Sequence, residues 1–189
     1  YPEALHIVAR RGTGIDSIAD LRGKRVSLDE PGSGTLVDAR LVLDAAGLSD
    51  ADLTVMHLPA TRAAAAMREG KLDAFFFVGG YPSPAISQLA GQADVKLVPI
   101  DDAVATRLLG AETFFIRDTV PQGTYRGMEG DVATLSVGAL WITRADQPDD
   151  LIYAITRVLW NDNTMRQLSY GHPIGRRILR QNALKGVAI

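Results

Sequence analysis

Cysteine is absent from the 189 residues of the chain, which excludes disulfides, thiolate catalysis and cysteine-ligated zinc. That absence fits a cytosolic protein and equally a periplasmic one without covalent staples. Histidine occurs only at positions 6, 57 and 172, with no HxxxH or HExxH spacing, so neither a histidine metal site nor a histidine-based catalytic set is built into the sequence. No apolar run approaches the ~18–20 residues that span a bilayer. A net charge of −2 and the lack of a dense basic run give no general attraction to nucleic acid or anionic lipid. No nucleophile has a recognisable base beside it, and the carboxylate pairs Asp101-Asp102 and Asp149-Asp150 fit helix starts better than acid–base chemistry. The sequence therefore offers binding groups without a catalytic or metal-ligating set, and it implies no cofactor. No leader pattern opens the chain. It begins at Tyr1 and stops at Gly-Val-Ala-Ile, so it reads as cut at both ends and this absence does not locate it.

What is present is ordinary for a globular protein: 47% hydrophobic and 22% charged residues, enough to bury a core and too apolar for disorder. Strands and helices alternate along the first two thirds. LHIVARR (5–11) reads as a buried strand, and IDSIADLRGK (15–24) as a short helix capped by Asp16 and ended by Gly23. RVSLD follows as a strand, then the PGSGT bend and a helix stopped by Gly47. LTVMHL is a strand, TRAAAAMREGK a helix capped by Thr61, and LDAFFFV a strand leading to a Gly79-Gly80 bend. SPAISQLAG is a helix, VKLVPI a strand and DDAVATRLLGAE a helix. Residues 113–134 read as irregular, LSVGALWIT (135–143) as a strand, 147–170 as a helix and 174–184 as a basic helix; Trp141 and Trp160 are expected in the core. This rhythm predicts βαβ units, hence an α/β fold with a mainly parallel sheet covered on both faces. One lobe is expected over about residues 13–132, with strands 5–11 and 135–143 joining it to the rest as hinges.

Two loops on the carboxyl edge of such a sheet stand out, since ligands of open α/β sheets bind in the crevice outside the strand ends. In PGSGT, Gly32 and Gly34 let a ligand approach the backbone, the helix start carries about half a positive charge, and Ser33 and Thr35 add hydroxyl donors. The loop matches neither a Walker motif nor GxGxxG; an anion seat and a plain helix cap both remain open. After the buried Phe75-Phe76-Phe77 run, Gly79 and Gly80 with Tyr81 as a wall form the second candidate. Arg62, at a helix start, is a candidate partner for a carboxylate, against the commoner exposed helix-end arginine.

YPEALHIVAR, the DEPGSGT helix start, DAFFFVGGYPSPAI, VKLVPID and VPQGTYRGMEGDVATLSVGALWIT occur in this order, and together they resemble the solute-binding subunits of TRAP transporters of the TAXI type over nearly the whole chain. The resemblance implies a two-lobed, type II periplasmic-binding fold that closes on a small organic acid, glutamate-like or a 2-oxoacid. The receptor would be extracytoplasmic and would deliver its solute to TRAP membrane permease subunits driven by a sodium gradient. Ser33, Gly34 and Thr35 would hold a ligand carboxylate, Gly79, Gly80 and Tyr81 would line the opposite side, and Tyr1, in the hinge, would reach the cleft. Members of the family carry a first lobe ahead of the YPEALHIV stretch and a segment beyond GVAI, and neither has a counterpart here. The expectation is therefore a second lobe (13–132) with hinge strands and C-terminal helices from a partial first lobe (1–12 and 133–189). Apolar faces left open in this way favour self-association. Two alternatives stand beside the receptor: an enzyme on the same two-lobed fold acting on a carboxylate or phosphate, and a ligand-sensing domain of a regulator.

Overall fold

Short apolar strands covered on both faces build the sheet. The computed structural model describes residues 1–183, and the chain divides into two compact units, Glu3–Val137 and Tyr1–Pro2 with the chain from Gly138 onward. The larger unit contains β1 (Pro2–Arg10, from Glu3 on), β2 (Arg25–Ser27), α1 (Gly34–Ala45), β3 (Thr54–Met56), α2 (Ala60–Arg68), β4 (Ala74–Gly79), α3 (Pro84–Gln92), β5 (Val95–Leu97), α4 (Asp102–Ala111), β6 (Phe115–Val120) and β7 (Val132–Gly138, up to Val137). The sheet runs in the order β3-β2-β4-β1-β7-β6, with β5 also paired to β1. β2 pairs in parallel with β3 and β4, while β1 runs antiparallel to both β4 and β5. Four strands thus share one direction, β1 opposes them, and β6 and β7 form an antiparallel pair.

Strand alternation sends side chains to two cores. Leu5, Ile7 and Ala9 of β1 and Ala74 and Phe76 of β4 meet α1 and α4 through Leu36, Ala39, Val42, Val104 and Leu108. Ala4, Val8 and Phe75 meet α2 and α3 through Ala63, Met67, Ile86 and Leu89 on the other face. Asp73, just before β4, receives a forked ion pair from Arg25 at 2.6 and 2.9 Å, and this holds its carboxyl down to about 2.

Several element boundaries differ from the sequence expectation. Residues 15–24 form only a 3-10 turn, Ile18–Leu21, opened by a Ser17–Asp20 capping box and followed by Gly23 at φ +73°, where the chain leaves the helical path; Asp16 instead pairs with Lys96. The cap position of α2 is Pro59, which leaves Thr61 inside the helix. The stretch expected to be irregular contains β6, whose central residues are mostly solvent-facing and so carry little apolar signal. β7 ends at Gly138, and the apolar residues that follow are exposed: Trp141, expected in the core, is 77% exposed.

In the smaller unit, the Ala139 N–H donates to the Tyr1 carbonyl at 2.8 Å. The long tail helix is two helices, α5 (Asp149–Leu159) and α6 (Asp162–Gly171), because Asn161 caps the second through the Thr164 N–H. Trp160 at the break is half-buried. The expected basic helix consists of two 3-10 turns, Pro173–Arg177 and Arg180–Asn182, and its last residue, Leu184, lies outside the described residues. Gly175 packs against the α6 backbone, where a Cβ would come within 1.8 Å of the Leu168 carbonyl oxygen. No residue of α5 or α6 is buried, and Leu151, Tyr153 and Val158 stand exposed.

On the α2–α3 side of β1 lies a fully buried polar chain. The His6 Nδ1–H donates to the Ala4 carbonyl at 2.9 Å, which leaves Nε2 to accept from the Tyr125 hydroxyl at 3.1 Å; the Tyr125 oxygen in turn accepts from the Ser83 N–H at 2.9 Å. Burial disfavours the imidazolium and pulls the His6 pKa from 6.5 to about 4. The unfolded chain therefore binds this proton at a higher pH than the folded one. Stability should fall as pH drops from about 6.5 to about 4, by roughly 3 kcal/mol at most. Urea unfolding across this window should show the loss in the wild-type chain, and a His6→Gln variant should lack that component of the slope.

Candidate functional site

The carboxyl ends of β2, β3 and β4 deliver three loops to one edge, and named hydrogen bonds join them. Ser27, buried at the end of β2, donates to the Leu58 carbonyl at 3.0 Å and accepts from the Leu58 N–H at 3.1 Å. His57 Nδ1–H donates to the Asp29 carbonyl at 2.9 Å, and Asp29 sits at φ +76°, a left-handed conformation. Gly32, at φ +85°, then turns the chain into α1.

At that helix start the Ser33 Oγ accepts from the Leu36 N–H at 3.1 Å, so Ser33 is a genuine N-cap. The buried Thr35 Oγ1 accepts from the Val78 N–H at 3.2 Å. That bond draws the start of α1 to the end of β4, so residues 33–35 and 78–80 lie together. Among the described residues, the N–H groups of Gly34 and Thr35 donate to no protein acceptor. They and the Ser33 hydroxyl proton are the donors available to an anion at this edge.

The second loop differs in detail from its sequence reading. Gly79 is still strand, paired with Ala4, and its lack of a Cβ is required by packing, since a Cβ there would lie 2.5 Å from the Phe77 ring. The bend proper is Gly80, Tyr81 and the cis-linked Pro82. The Tyr81 hydroxyl donates to the Thr119 carbonyl at 3.1 Å, and the Ser83 N–H is held by Tyr125, so this loop is anchored on β6 and on the segment after it. Arg62 is exposed in the first turn of α2, and among the described residues no hydrogen bond or ion pair ties it to either loop. Tyr1 belongs to the other compact unit. A shallow groove of about 200 Å³ lies between α2 and α3, lined by Ala64, Arg68, Ala85 and Gln88, and includes neither glycine loop.

Sequence reasoning did not single out Ser27, Asp29, Tyr125 or Asp38. For Asp38 a signal exists: it stands on the α1 stripe with Thr35, Ala39 and Val42, where an acid interrupts a buried face. Burial and the nearby Glu3 carboxylate push its carboxyl up to about 6.

An α/β lobe whose strand-end loops converge on a helix N-terminus is the architecture of periplasmic-binding-protein-like folds. The periplasmic aliphatic sulphonate binding protein SsuA from Escherichia coli aligns with a TM-score of 0.51 at 20% identity, over 88% of this chain and 46% of that one. The alkanesulfonate-binding protein SsuA from Xanthomonas axonopodis pv. citri, bound to MOPS, gives 0.48 at 18% identity over 98% and 52%. An ancestral arginine-binding protein bound to arginine gives 0.47 at 19% over 87% and 57%. The chain spans about half the length of these structures. A model of the NMT1-like family matches residues 1–189, and the chain belongs to that family.

The two hydroxyls test whether the loops are held as described. Thr35→Val should leave the Val78 N–H without its acceptor and cost about 1–3 kcal/mol of unfolding free energy, while Ser33→Ala should cost about 1 kcal/mol. Denaturant unfolding of both variants checks this, and an unchanged Thr35→Val midpoint would show that the bond contributes nothing.

Proposed function

We propose that the chain supplies the ligand-gripping lobe of an extracytoplasmic solute-binding receptor, of the TAXI type, that captures a small organic acid for a TRAP secondary transporter. In this reading residues 13–132 are the binding lobe and 1–12 with 133–189 the hinge strands and helices of a partial first lobe. Ser33, Gly34 and Thr35, with the bend at Gly32, receive the solute's acid group. Gly79, Gly80 and Tyr81 form the facing wall, and Arg62 and Tyr1 complete the proposed set of solute-binding residues. The ligand class is a carboxylate such as glutamate or a 2-oxoacid. Membrane permease subunits are the partner, and nucleic acid is not. The observation that carries the reading is the Thr35–Val78 hydrogen bond, which sets the oriented amides of α1 beside the end of β4. Family membership and the fold support it further. No helix among the described residues is long and apolar enough to cross a membrane.

A titration of the ¹⁵N-labelled chain with 2-oxoglutarate, followed by ¹H–¹⁵N spectra, tests the reading. The Gly34, Thr35, Gly80 and Tyr81 amides should shift together, with an affinity well short of submicromolar because a single lobe cannot enclose its ligand. Shifts confined to other regions would overturn the reading, and conversion of the titrant would favour the enzyme alternative. Self-association through the exposed apolar residues Leu140, Trp141 and Ile142 and the α5 face belongs to the same proposal. Light scattering at high concentration should give a mass above that of one chain; a clean monomer contradicts it.

A further inference from the structure

The buried polar chain behind the Tyr81 loop closes in one protonation state. His6, Tyr125 and Ser83 are 1%, 4% and 4% exposed. A carbonyl only accepts, so the 2.9 Å bond to Ala4 places a proton on His6 Nδ1. A backbone N–H only donates, so the 2.9 Å bond from Ser83 makes the Tyr125 oxygen an acceptor. The Tyr125 hydroxyl proton then points along the 3.1 Å line to His6 Nε2, which must be bare. Every donor in the chain has an acceptor only while the imidazole is neutral.

One added proton breaks this match. A protonated Nε2 no longer accepts, so whichever oxygen takes the new N–H, the Tyr125 hydroxyl loses its acceptor inside the fold. The ionisable groups that face the imidazole are Asp118 from β6, Tyr81 from the bend and Tyr125 from the segment after β6. β4 and β7 contain no ionisable residue. Lys96 of β5 lies opposite Ala9, on the α1 face of the sheet, and pairs with Asp16. The buried side chains of α2 and α3 on the His6 face, Ala63, Met67, Ile86 and Leu89, are apolar. The Ala4 and Phe77 backbones and the Asp118 charge favour the imidazolium, and burial outweighs them. Tyr125 keeps its proton, since burial pushes its pKa up to about 12.

The stretch that Tyr125 anchors is the one with least to lose. Tyr125 is its only buried residue between Gln122 and Asp131. Exposed bonds hold the rest, among them Arg126 to the Gly91 carbonyl and the Gln122 N–H to Asp131. Withdrawing Tyr125 lets water reach both the hydroxyl and His6 without breaking the pairing of β1 with β4.

We propose that the His6–Tyr125–Ser83 chain is an acid-sensitive latch: protonation of His6 releases Tyr125 from Ser83 and opens the Gly80–Ser83 bend and the 122–131 segment while β1 and β4 stay paired. The open form binds the proton more readily than the closed one, so acid drives opening across the window from 6.5 down to about 4. The latch belongs to the fold and operates with no solute present, so it stands or falls separately from the receptor reading.

Amide hydrogen exchange of the ¹⁵N-labelled chain at pH 6.5 and pH 4, each relative to the rates of an unstructured chain, tests it. The Ser83 and Met128 amides, bonded to the Tyr125 hydroxyl and carbonyl, should lose at least about ten-fold in protection at the lower pH. At pH 4 they should also exchange at least about ten-fold faster than the Val8 and Phe76 amides and be insensitive to low urea, because a local opening exposes little surface. Unchanged protection at Ser83 and Met128 overturns the latch. So does exchange of the bend and the strands at one rate with one urea dependence, which is global unfolding. His6→Gln should hold the Ser83 protection within about two-fold between the two pH values, and a loss that survives this substitution also overturns it; the wild-type pattern decides even where the variant does not fold.

Discussion

The hydrogen bond from the Val78 N–H to the Thr35 hydroxyl is the constraint on which the site depends. A helix N-terminus is polarised wherever it lies, and by itself that polarity does nothing specific. Here the acceptor is a side chain of the first helical turn and the donor is the backbone of a central strand near its end. The amides of Gly34 and Thr35 are thereby fixed where the Gly80–Tyr81 bend begins. The Ser27–Leu58 pair and the His57–Asp29 bond extend the same stitching to the β3 loop. On the far side of the sheet, the His6–Tyr125–Ser83 chain holds the Tyr81 loop from beneath. The loops that face outward are thus set by buried polar bonds, each placed at the end of a strand packed on both faces.

Much of this was legible in the residues, and the failures have identifiable causes. The β-α rhythm through residue 112 and the glycine that stops α1 are local features, and local signals predict them, whereas the PGSGT stretch left a helix cap and an anion seat both open. β6 escaped notice because Arg117, Asp118 and Thr119 interrupt its apolar ends; an exposed strand has little periodicity to read. Leu140, Trp141 and Ile142 read as buried strand from their apolarity alone, yet β7 ends before them. α5 and α6 read as one helix because an asparagine inside a helical pattern is tolerated in some contexts and caps in others. At the site, the glycine of Gly79 is a packing requirement beneath Phe77, and Thr35 is an intramolecular acceptor before it is a ligand donor. Both facts depend on partners more than one element away, which no local pattern encodes.

Opposite charges stand close together at the start of α1. Backbone amides supply a positive potential that cannot titrate, while Asp38 supplies a negative one a turn away, inside the fold. Asp38 stands on the same stripe as Ala39 and Val42. The chain belongs to the NMT1-like family and has a periplasmic-binding-type fold.

The most direct test of the central claim is anomalous diffraction from crystals of the chain soaked in selenate, a tetrahedral oxyanion whose position is read without ambiguity. The account predicts a selenium peak within hydrogen-bonding distance of the Gly34 and Thr35 amides, beside Gly80, and its loss in Thr35→Val crystals. Selenate bound at other helix starts with none at residues 34 and 35 would contradict it.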